Sequence, residues 1–137
     1  MSMNKLAGKN VVVIGGTSGI GLATALAASD LGARVWAAGR SDEHVESAKR
    51  IAGDRVTVMK ADTHDQESLL AVFRAAGVID HLVSAATGGT RTLKPFLEQT
   101  EDQFKDAFGK LWGYAKVVRT GAPFVAKDGS ITLVSGA

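Results

Sequence analysis

The 137-residue chain has a formal net charge of +2, and 45% of its residues are hydrophobic while 22% are charged. These values are ordinary for one globular domain, and the small charge gives no support for nucleic acid or a membrane surface as a partner. The absence of cysteine excludes disulfides, thiolate metal sites and a cysteine nucleophile. No apolar run approaches the roughly 20 residues of a membrane span. The N-terminus lacks the apolar core of a signal peptide, so the cytoplasm is the expected compartment.

The first predicted elements are a buried strand over about 10–14, a glycine-rich turn and a helix over about 19–31. Val11 to Ile14 are four apolar β-formers in a row, too short a run for a typical helix and too uniformly apolar for a half-exposed strand. Glycines follow at positions 15, 16, 19 and 21, and Gly32 suits the C-cap of the helix. The first N–H groups of a helix have no intrahelical partners and lie at its positive end, so this turn indicates an anion site.

Three of these glycines have distinct expected roles. Gly15 lets the chain leave the strand through φ/ψ values closed to other residues, Gly19 lets backbone approach a phosphate, and Gly21 lets the helix pack closely on the strand. Hydroxyl side chains within the turn add donors. The predicted ligand contacts here are Gly15, Thr17, Ser18, Gly19, Ile20 and Gly21. The alternative is a glycine-rich turn that binds nothing.

The spacing Gly-x-x-x-Gly-x-Gly, formed by Gly15, Gly19 and Gly21, resembles the cofactor loop of the short-chain dehydrogenase/reductase superfamily. The usual loop begins with Thr, where this chain has Ile14. The resemblance covers the whole chain but only the first part of a family subunit, so residues 1–137 are expected to be a dinucleotide-binding domain truncated after its fifth strand. It implies hydride transfer between a nicotinamide and a small-molecule carbonyl or alcohol, and a homo-oligomer when full length.

Strands and helices alternate along the rest of the chain. This alternation implies an α/β fold with a doubly wound parallel sheet, Rossmann-like, of about five strands in the order 3-2-1-4-5. Arg34 to Ala38 predicts the second strand, and Ser41 or Asp42 can cap a helix over about 43–52. That helix is predicted to bury Val45, Ala48 and Ile51.

The end of the second strand meets the adenosine ribose in dinucleotide folds, where a carboxylate favours NAD and a basic residue favours NADP. The resemblance places Gly39 where NAD-dependent relatives carry Asp, and Arg40 follows it. Arg40 and Ser41 are therefore predicted to contact the 2′-phosphate of NADP, with NAD the less favoured cofactor. The alternative for Arg40 is a solvated loop residue.

Asp62 follows the third predicted strand, which covers residues 56–59. The resemblance implies that Asp62 hydrogen-bonds near the adenine amino group and that Thr63 contacts the cofactor beside it. The alternative is helix capping, since Thr63 and Gln66 fit a capping box for a helix over about 65–76. That helix is predicted to bury Leu69, Leu70 and Phe73.

The fourth predicted strand covers residues 78–84 and leads into a segment that takes the place of the family's Asn-Asn-Ala-Gly. Only Ala86 matches that motif. Small residues still let backbone approach a cofactor, so the predicted contacts here are Ser84, Ala85 and Ala86.

The last third of the chain begins with a loop in which Arg91 and Lys94 are candidates for a phosphate or an acidic substrate. More often such loop residues are solvated. Thr100 and Gln103 then fit a capping box at the start of a long helix. The apolar face of that helix is predicted to consist of Phe104, Phe108, Leu111, Ala115 and Val118. A fifth strand is predicted over 131–134.

The family's catalytic groups are Asn, Ser, Tyr and Lys, with the last two spaced Tyr-x-x-x-Lys beyond the strand that carries Ser. The sequence stops before such a motif, and Tyr114 and Lys116 diverge by about 200° on a helix, so they are not that pair. Alignment of the fifth strand places Gly136 at the usual serine position and Ser135 one residue early. The family's helix asparagine aligns with Lys110. Ser135 and Lys110 are therefore the remaining catalytic candidates.

Two alternatives to an NADP(H)-dependent reductase stay open. One is a non-catalytic NADP(H)-binding or sensing module, which the altered positions Lys110 and Gly136 favour. The other is a methyltransferase on a similar fold, which would require an acidic residue where the chain has Gly39 and Arg40. The three histidines have no metal-ligand spacing and are assigned no role. The 137-residue chain by itself is expected to be inactive.

Overall fold

The computed structural model describes residues 4–87 and 92–135. Within these ranges, five parallel strands form one sheet in the order 3-2-1-4-5, which confirms the predicted fold. The strands are β1 (Asn10–Ile14), β2 (Arg34–Gly39), β3 (Thr57–Lys60), β4 (Ile79–Ser84) and β5 (Val125–Leu133). The helices are α1 (Gly19–Asp30), α2 (Asp42–Ala52), α3 (Gln66–Ala76), α4 (Glu101–Asp106) and α5 (Gly109–Gly121). No helix in the described ranges is long and apolar enough to cross a membrane.

Strand β1 lies at the centre of the sheet and is covered on both faces. Val12 and Ile14 pack with side chains of α3 and α5, whereas Val11 and Val13 pack with side chains of α1 and α2. A strand buried on both faces requires consecutive apolar residues rather than alternation, which is the pattern that predicted it. From β1 to β4, every predicted boundary agrees with the structure to within one residue.

The buried stripe of α2 differs from the prediction. Ile51 is 52% exposed, and Ala52 takes the inward position after Val45 and Ala48. Successive helix positions are 100° apart, so a stripe at spacings of three and four that includes Ala52 leaves Ile51 outside. The prediction favoured the larger apolar side chain, and the helix buries the smaller one.

The predicted capping box at Thr63 is wrong. Helix α3 begins at Gln66, and Asp65 is its cap, with Oδ1 accepting hydrogen bonds from two backbone N–H groups of the first turn. A carboxylate next to the helix start replaces the hydroxyl that the sequence suggested. The predicted Leu70 is only partly buried, and the buried face of α3 consists of Leu69, Val72, Phe73 and Ala76.

The long helix predicted after Thr100 is broken into α4 and α5. Thr100 and Gln103 form the predicted capping box, with hydrogen bonds of 3.2 and 3.0 Å. The helix then ends at Asp106 and restarts at Gly109. The predicted apolar face is wrong, because Phe104, Phe108 and Leu111 are exposed. The buried face of α5 consists of Gly113, Tyr114, Val117, Thr120 and Gly121.

Close packing explains why small residues of α5 face the sheet. A Cβ added at Gly121 would lie 2.6 Å from Leu82 Cδ2 and 3.1 Å from Phe73 Cζ. A Cβ added at Gly113 would lie 2.9 Å from Thr63 Oγ1. At these two positions the helix approaches its neighbours so closely that a Phe or Leu side chain has no room.

Strand β5 begins at Val125, well before the predicted start at Ile131. Its pairing with β4 shifts register between residues 79 and 81, so a bulge interrupts the ladder. Gly129 lies in this irregular part, where an added Cβ would be 2.5 Å from Asp80 O. The charged and glycine-containing first half of β5 carries no strand pattern, and only the regular second half could be predicted.

Candidate functional site

A cleft of about 490 Å³ opens at the carboxyl ends of the strands, beside the first turn of α1. Open parallel α/β sheets bind their ligands at this edge. The predicted contacts that line the cleft are Gly15, Thr17, Ser18, Gly19, Ile20, Gly21, Arg40, Ser41, Asp62, Thr63, Ala85 and Ala86. The catalytic candidates Lys110 and Ser135 line it as well. Their roles toward a cofactor or substrate stay predictions.

The turn between β1 and α1 packs through its glycines. Gly15 has a φ of 78°, and a Cβ added there would lie 2.4 Å from Ala86 N. A Cβ added at Gly21 would lie 1.8 Å from Gly15 O. Gly15 N and Gly16 N both donate to Ala38 O, at 2.8 and 3.0 Å. The turn is therefore fixed between the ends of β2 and β4, and α1 rests directly on its backbone.

The N-terminus of α1 differs from those of α2, α3 and α4. Each of those helices has a side-chain cap and acidic residues in its first turn. Helix α1 has neither, since the side chain of its N-cap Ser18 makes no capping hydrogen bond and the first turn contains no acid. Gly19 has a φ of 52°, and a Cβ added there would meet no atom of the described residues within 4 Å. The positive end of α1 thus faces open space lined by backbone N–H groups, which fits an anion such as a pyrophosphate.

The end of β2 forms the next part of the cleft. Arg40 is exposed and has no hydrogen-bond or ion-pair partner within residues 4–87 and 92–135. Ser41 caps α2 by accepting a hydrogen bond from His44 N at 3.3 Å. Gly39, which the sequence placed at the ribose position, also lines the cleft, and so does His44, which the sequence did not predict as a contact. The signal for His44 was its place in the first turn of α2, three residues after the predicted contact Ser41.

Asp62 and Thr63 lie where the chain leaves β3. Asp62 Oδ1 accepts a hydrogen bond from His64 N at 2.8 Å, which closes a tight turn before α3. Thr63 is buried between the cleft and α5, where Gly113 makes room for it. Asp62 therefore shapes the local backbone and lines the cleft at the same time.

Backbone forms the β4 side of the cleft. Ala85 N donates to Ile14 O at 2.7 Å, so the ladder between β1 and β4 continues up to the cleft. The predicted contact Ser84 does not line the cleft: its side chain is fully buried, and its Oγ has no hydrogen-bond partner among the described residues. Strand alternation places Ser84 on the face of Leu82, under α3 and α5.

Of the two loop candidates, Lys94 is exposed and is not among the described residues that line the cleft. Arg91 lies outside the described residues.

The sequence pattern of the family described as short chain dehydrogenase matches residues 9–136. This chain belongs to the short-chain dehydrogenase family. Among curated relatives, 3-dehydrosphinganine reductase TSC10A from Arabidopsis thaliana is 31% identical over 137 residues, covering 93% of this chain and 41% of that protein. L-xylulose reductase from Homo sapiens is 34% identical over 103 residues, covering 75% of this chain and 41% of that protein.

A solved structure described as a short chain dehydrogenase/reductase family protein shows the same architecture, with a TM-score of 0.77 at 29% identity, covering 94% of this chain and 55% of that chain. BdcA in complex with NADPH matches with a TM-score of 0.78 at 26% identity, covering 93% of this chain and 52% of that chain. The chain thus spans about two fifths of the length of the two curated relatives and about half of this solved one.

Tyr114 and Lys116, which the sequence already excluded as the family's Tyr-x-x-x-Lys pair, are not among the described residues that line the cleft. Tyr114 is nearly buried, and its hydroxyl donates to Val134 O. Lys116 Nζ donates to His64 O at 3.2 Å, so these two side chains have separate backbone partners. Lys110 Nζ lies 5.4 Å from the centre of the Tyr114 ring, within cation–π range. Gly136 lies outside the described residues.

Proposed function

We propose that this cleft binds NADP(H) and that the protein transfers hydride between the nicotinamide and a small-molecule carbonyl or alcohol. The observation that carries the proposal is the uncapped first turn of α1 facing open space at Gly19. Backbone N–H groups there can hold a pyrophosphate, and Thr17 and Ser18 add hydroxyl donors. The bound cofactor supplies the hydride, whereas the residues of this chain bind and orient it. The reductases among the relatives support the reaction class.

Arg40 supports a preference for the 2′-phosphate of NADP(H). It is exposed beside the cleft, and Gly39 before it presents no carboxylate to repel a phosphate. Asp42, the first residue of α2, is already paired with Lys60 at 2.7 Å. A charge-assisted contact between Arg and phosphate contributes about 1.5–3 kcal/mol, which corresponds to a preference of about tenfold to hundredfold.

Titration of NADPH and NADH against the parent, Arg40→Ala and Arg50→Ala tests this preference. Arg50 is an exposed arginine of α2 that does not line the cleft, so its variant controls for the loss of one positive charge. We expect Arg40→Ala to weaken NADPH binding by about tenfold to hundredfold with little effect on NADH. We expect Arg50→Ala to change neither affinity. Equal affinities of the parent for both cofactors would contradict the preference.

Gly19→Val tests whether the open space at the turn holds the cofactor. Its new methyl groups would enter the space assigned to the pyrophosphate, but Val at a positive φ is also strained. Gly53→Val is the matched control, because Gly53 has a φ of 57° and an added Cβ there also meets no described residue within 4 Å. Both variants should lose similar stability, and only Gly19→Val should lose NADPH binding. Binding that survives in Gly19→Val would show that the glycine serves the turn alone.

A non-catalytic NADP(H)-binding module is the second candidate function. The lysine at position 110 favours it, because Lys110 lines the cleft at the position that aligns with the family's helix asparagine. General acid–base catalysis contributes about 10²–10⁴-fold, so a site without it should turn over very slowly. We expect the 137-residue chain to bind NADPH without oxidising it in the presence of small aldehydes and ketones. If the chain does reduce an aldehyde or ketone, and Lys110→Ala or Ser135→Ala abolishes that activity, the chain is an enzyme and the non-catalytic module is refuted.

We also infer that copies of this chain associate through the outer side of α4 and α5. Around α4, edge-on ring contacts join Phe96 to Phe104 and Phe104 to Phe108, with ring centroids 5.4 Å apart in each pair. All three side chains are exposed. Leu97 and Trp112 add further exposed apolar surface nearby in the chain. Monomers rarely leave such surface uncovered. Sedimentation of the parent and of Phe108→Asp tests this, and a parent that stays monomeric at all concentrations would contradict it.

A further inference from the structure

The glycine at the end of β2 has no conformational reason to be glycine. Gly39 is buried and is not among the described glycines with positive φ. A Cβ added at Gly39 would lie 2.0 Å from Thr17 Oγ1, 2.9 Å from Thr17 Cγ2 and 3.0 Å from Thr17 Cβ. The Thr17 side chain therefore occupies the space that any side chain at position 39 would need.

The turn holds Thr17 in this position. The hydrogen bonds from Gly15 N and Gly16 N to Ala38 O tie the turn to the residue before Gly39. A Cβ added at Gly16 would lie 2.8 Å from Ala37 Cβ, so the turn also packs directly on β2. Rotation about χ1 of Thr17 would move Oγ1 and Cγ2 but would leave its Cβ in place, still 3.0 Å away. Thr17 cannot clear the space without a shift of the backbone.

We propose that Thr17 is a specificity-determining residue, because it keeps a carboxylate out of position 39. The inference rests on the proposed NADP(H) site and adds a second determinant to Arg40. A carboxylate at the end of β2 would accept hydrogen bonds from the ribose 2′-hydroxyl of NAD and would repel a 2′-phosphate. One replacement at position 39 cannot install that group here. It requires the removal of the Thr17 side chain as well.

A double-mutant cycle at positions 17 and 39 tests the steric part without any cofactor. Gly39→Ala, Thr17→Gly and the double variant are compared with the parent by urea unfolding. We expect Gly39→Ala to lose stability when Thr17 is present and to lose much less in the Thr17→Gly background. Thr17→Ala retains the Cβ at 3.0 Å and should give partial relief. Additive effects across the cycle would overturn the inference, because they would show that the two positions do not compete for space.

The specificity part is tested with Gly39→Asp, alone and combined with Thr17→Gly, by titration of NADPH and NADH. Gly39→Asp alone should be destabilised and should bind both cofactors poorly. The double variant should recover stability and shift the affinity ratio toward NADH by about tenfold to hundredfold. Gly53→Asp adds the same charge at an unobstructed glycine outside the cleft and should leave the ratio unchanged.

The outcomes separate this inference from the proposed function. A parent that binds neither cofactor would refute the NADP(H) site and the role of Thr17 together. A parent that prefers NADPH, with Gly39→Asp alone stable and switched to NADH, would refute only the role of Thr17. An unchanged affinity ratio in the double variant would also refute it. Recovery of stability together with the shift toward NADH supports it.

Discussion

Gly21→Ala tests the closest contact in the turn. A Cβ at position 21 would lie 1.8 Å from Gly15 O, about 1.6 Å short of the 3.4 Å at which ordinary contact begins. The obstacle is a backbone carbonyl, and the hydrogen bond from Gly16 N, which lies in the same peptide plane, to Ala38 O restrains it from swinging away. Overpacking of this kind costs about 3 kcal/mol, at the upper end of the usual range. Replacing a helical glycine by alanine returns about 1 kcal/mol, so the expected net loss is about 2 kcal/mol.

Gly113→Ala is the matched control for this loss. Gly113 is also a helical glycine, but the atom nearest to its added Cβ is a side-chain hydroxyl, Thr63 Oγ1 at 2.9 Å, which can rotate. We expect its free energy of unfolding to stay within about 1 kcal/mol of the parent. In urea unfolding, a loss of about 2 kcal/mol lowers the midpoint by about 1 M at a slope of about 2 kcal/mol/M. Equal midpoints for Gly21→Ala and the parent would refute the argument that the contact with Gly15 O requires glycine at position 21.

Three further predictions follow from individual contacts. Ile51→Lys should change the free energy of unfolding by less than about 0.5 kcal/mol, because Ile51 lies on the outer face of α2; a loss above 2 kcal/mol in urea would contradict this. Tyr114→Phe should lose about 1 kcal/mol with the hydrogen bond to Val134 O and should leave NADPH affinity unchanged, which unfolding and titration together measure. Ser84→Ala should raise the thermal midpoint, because it removes a fully buried hydroxyl that has no partner within the described ranges, and a lower midpoint would indicate a partner at that Oγ.

The first half of the fold could be predicted because its signals are local and strong. Four consecutive apolar β-formers identified β1, and the glycine spacing placed the turn and α1. The alternation of strands and helices predicted a doubly wound parallel sheet, and the order 3-2-1-4-5 is the one that dinucleotide-binding folds adopt. Most of the cleft followed, because the carboxyl ends of parallel strands meet at the same edge.

The second half could not be predicted so well, because size and contact decide it rather than apolar character. Helix α5 packs Gly113 against Thr63 and Gly121 against Leu82 and Phe73, whereas Phe104, Phe108 and Leu111, which a periodic pattern assigns to the core, are exposed. The break before Gly109 also shifts the phase of that pattern. Strand β5 contains a bulge around Gly129, and its first half carries no period. These features depend on distances between elements that a single sequence does not contain.

Distances between elements, which a single sequence does not contain, also decide the packing around the cleft. There the packing affects both stability and ligand binding. Gly15 lies against the backbone of Ala86, Gly21 lies against Gly15, and the space beside Gly39 is filled by Thr17. The elements meet at this turn with no room for added atoms, so substitutions at these three glycines should move the first turn of α1 as well as destabilise the fold. An added Cβ at Gly19 meets no neighbour in the described structure. Among these turn glycines, Gly19 is therefore the position at which binding can be removed with little loss of packing.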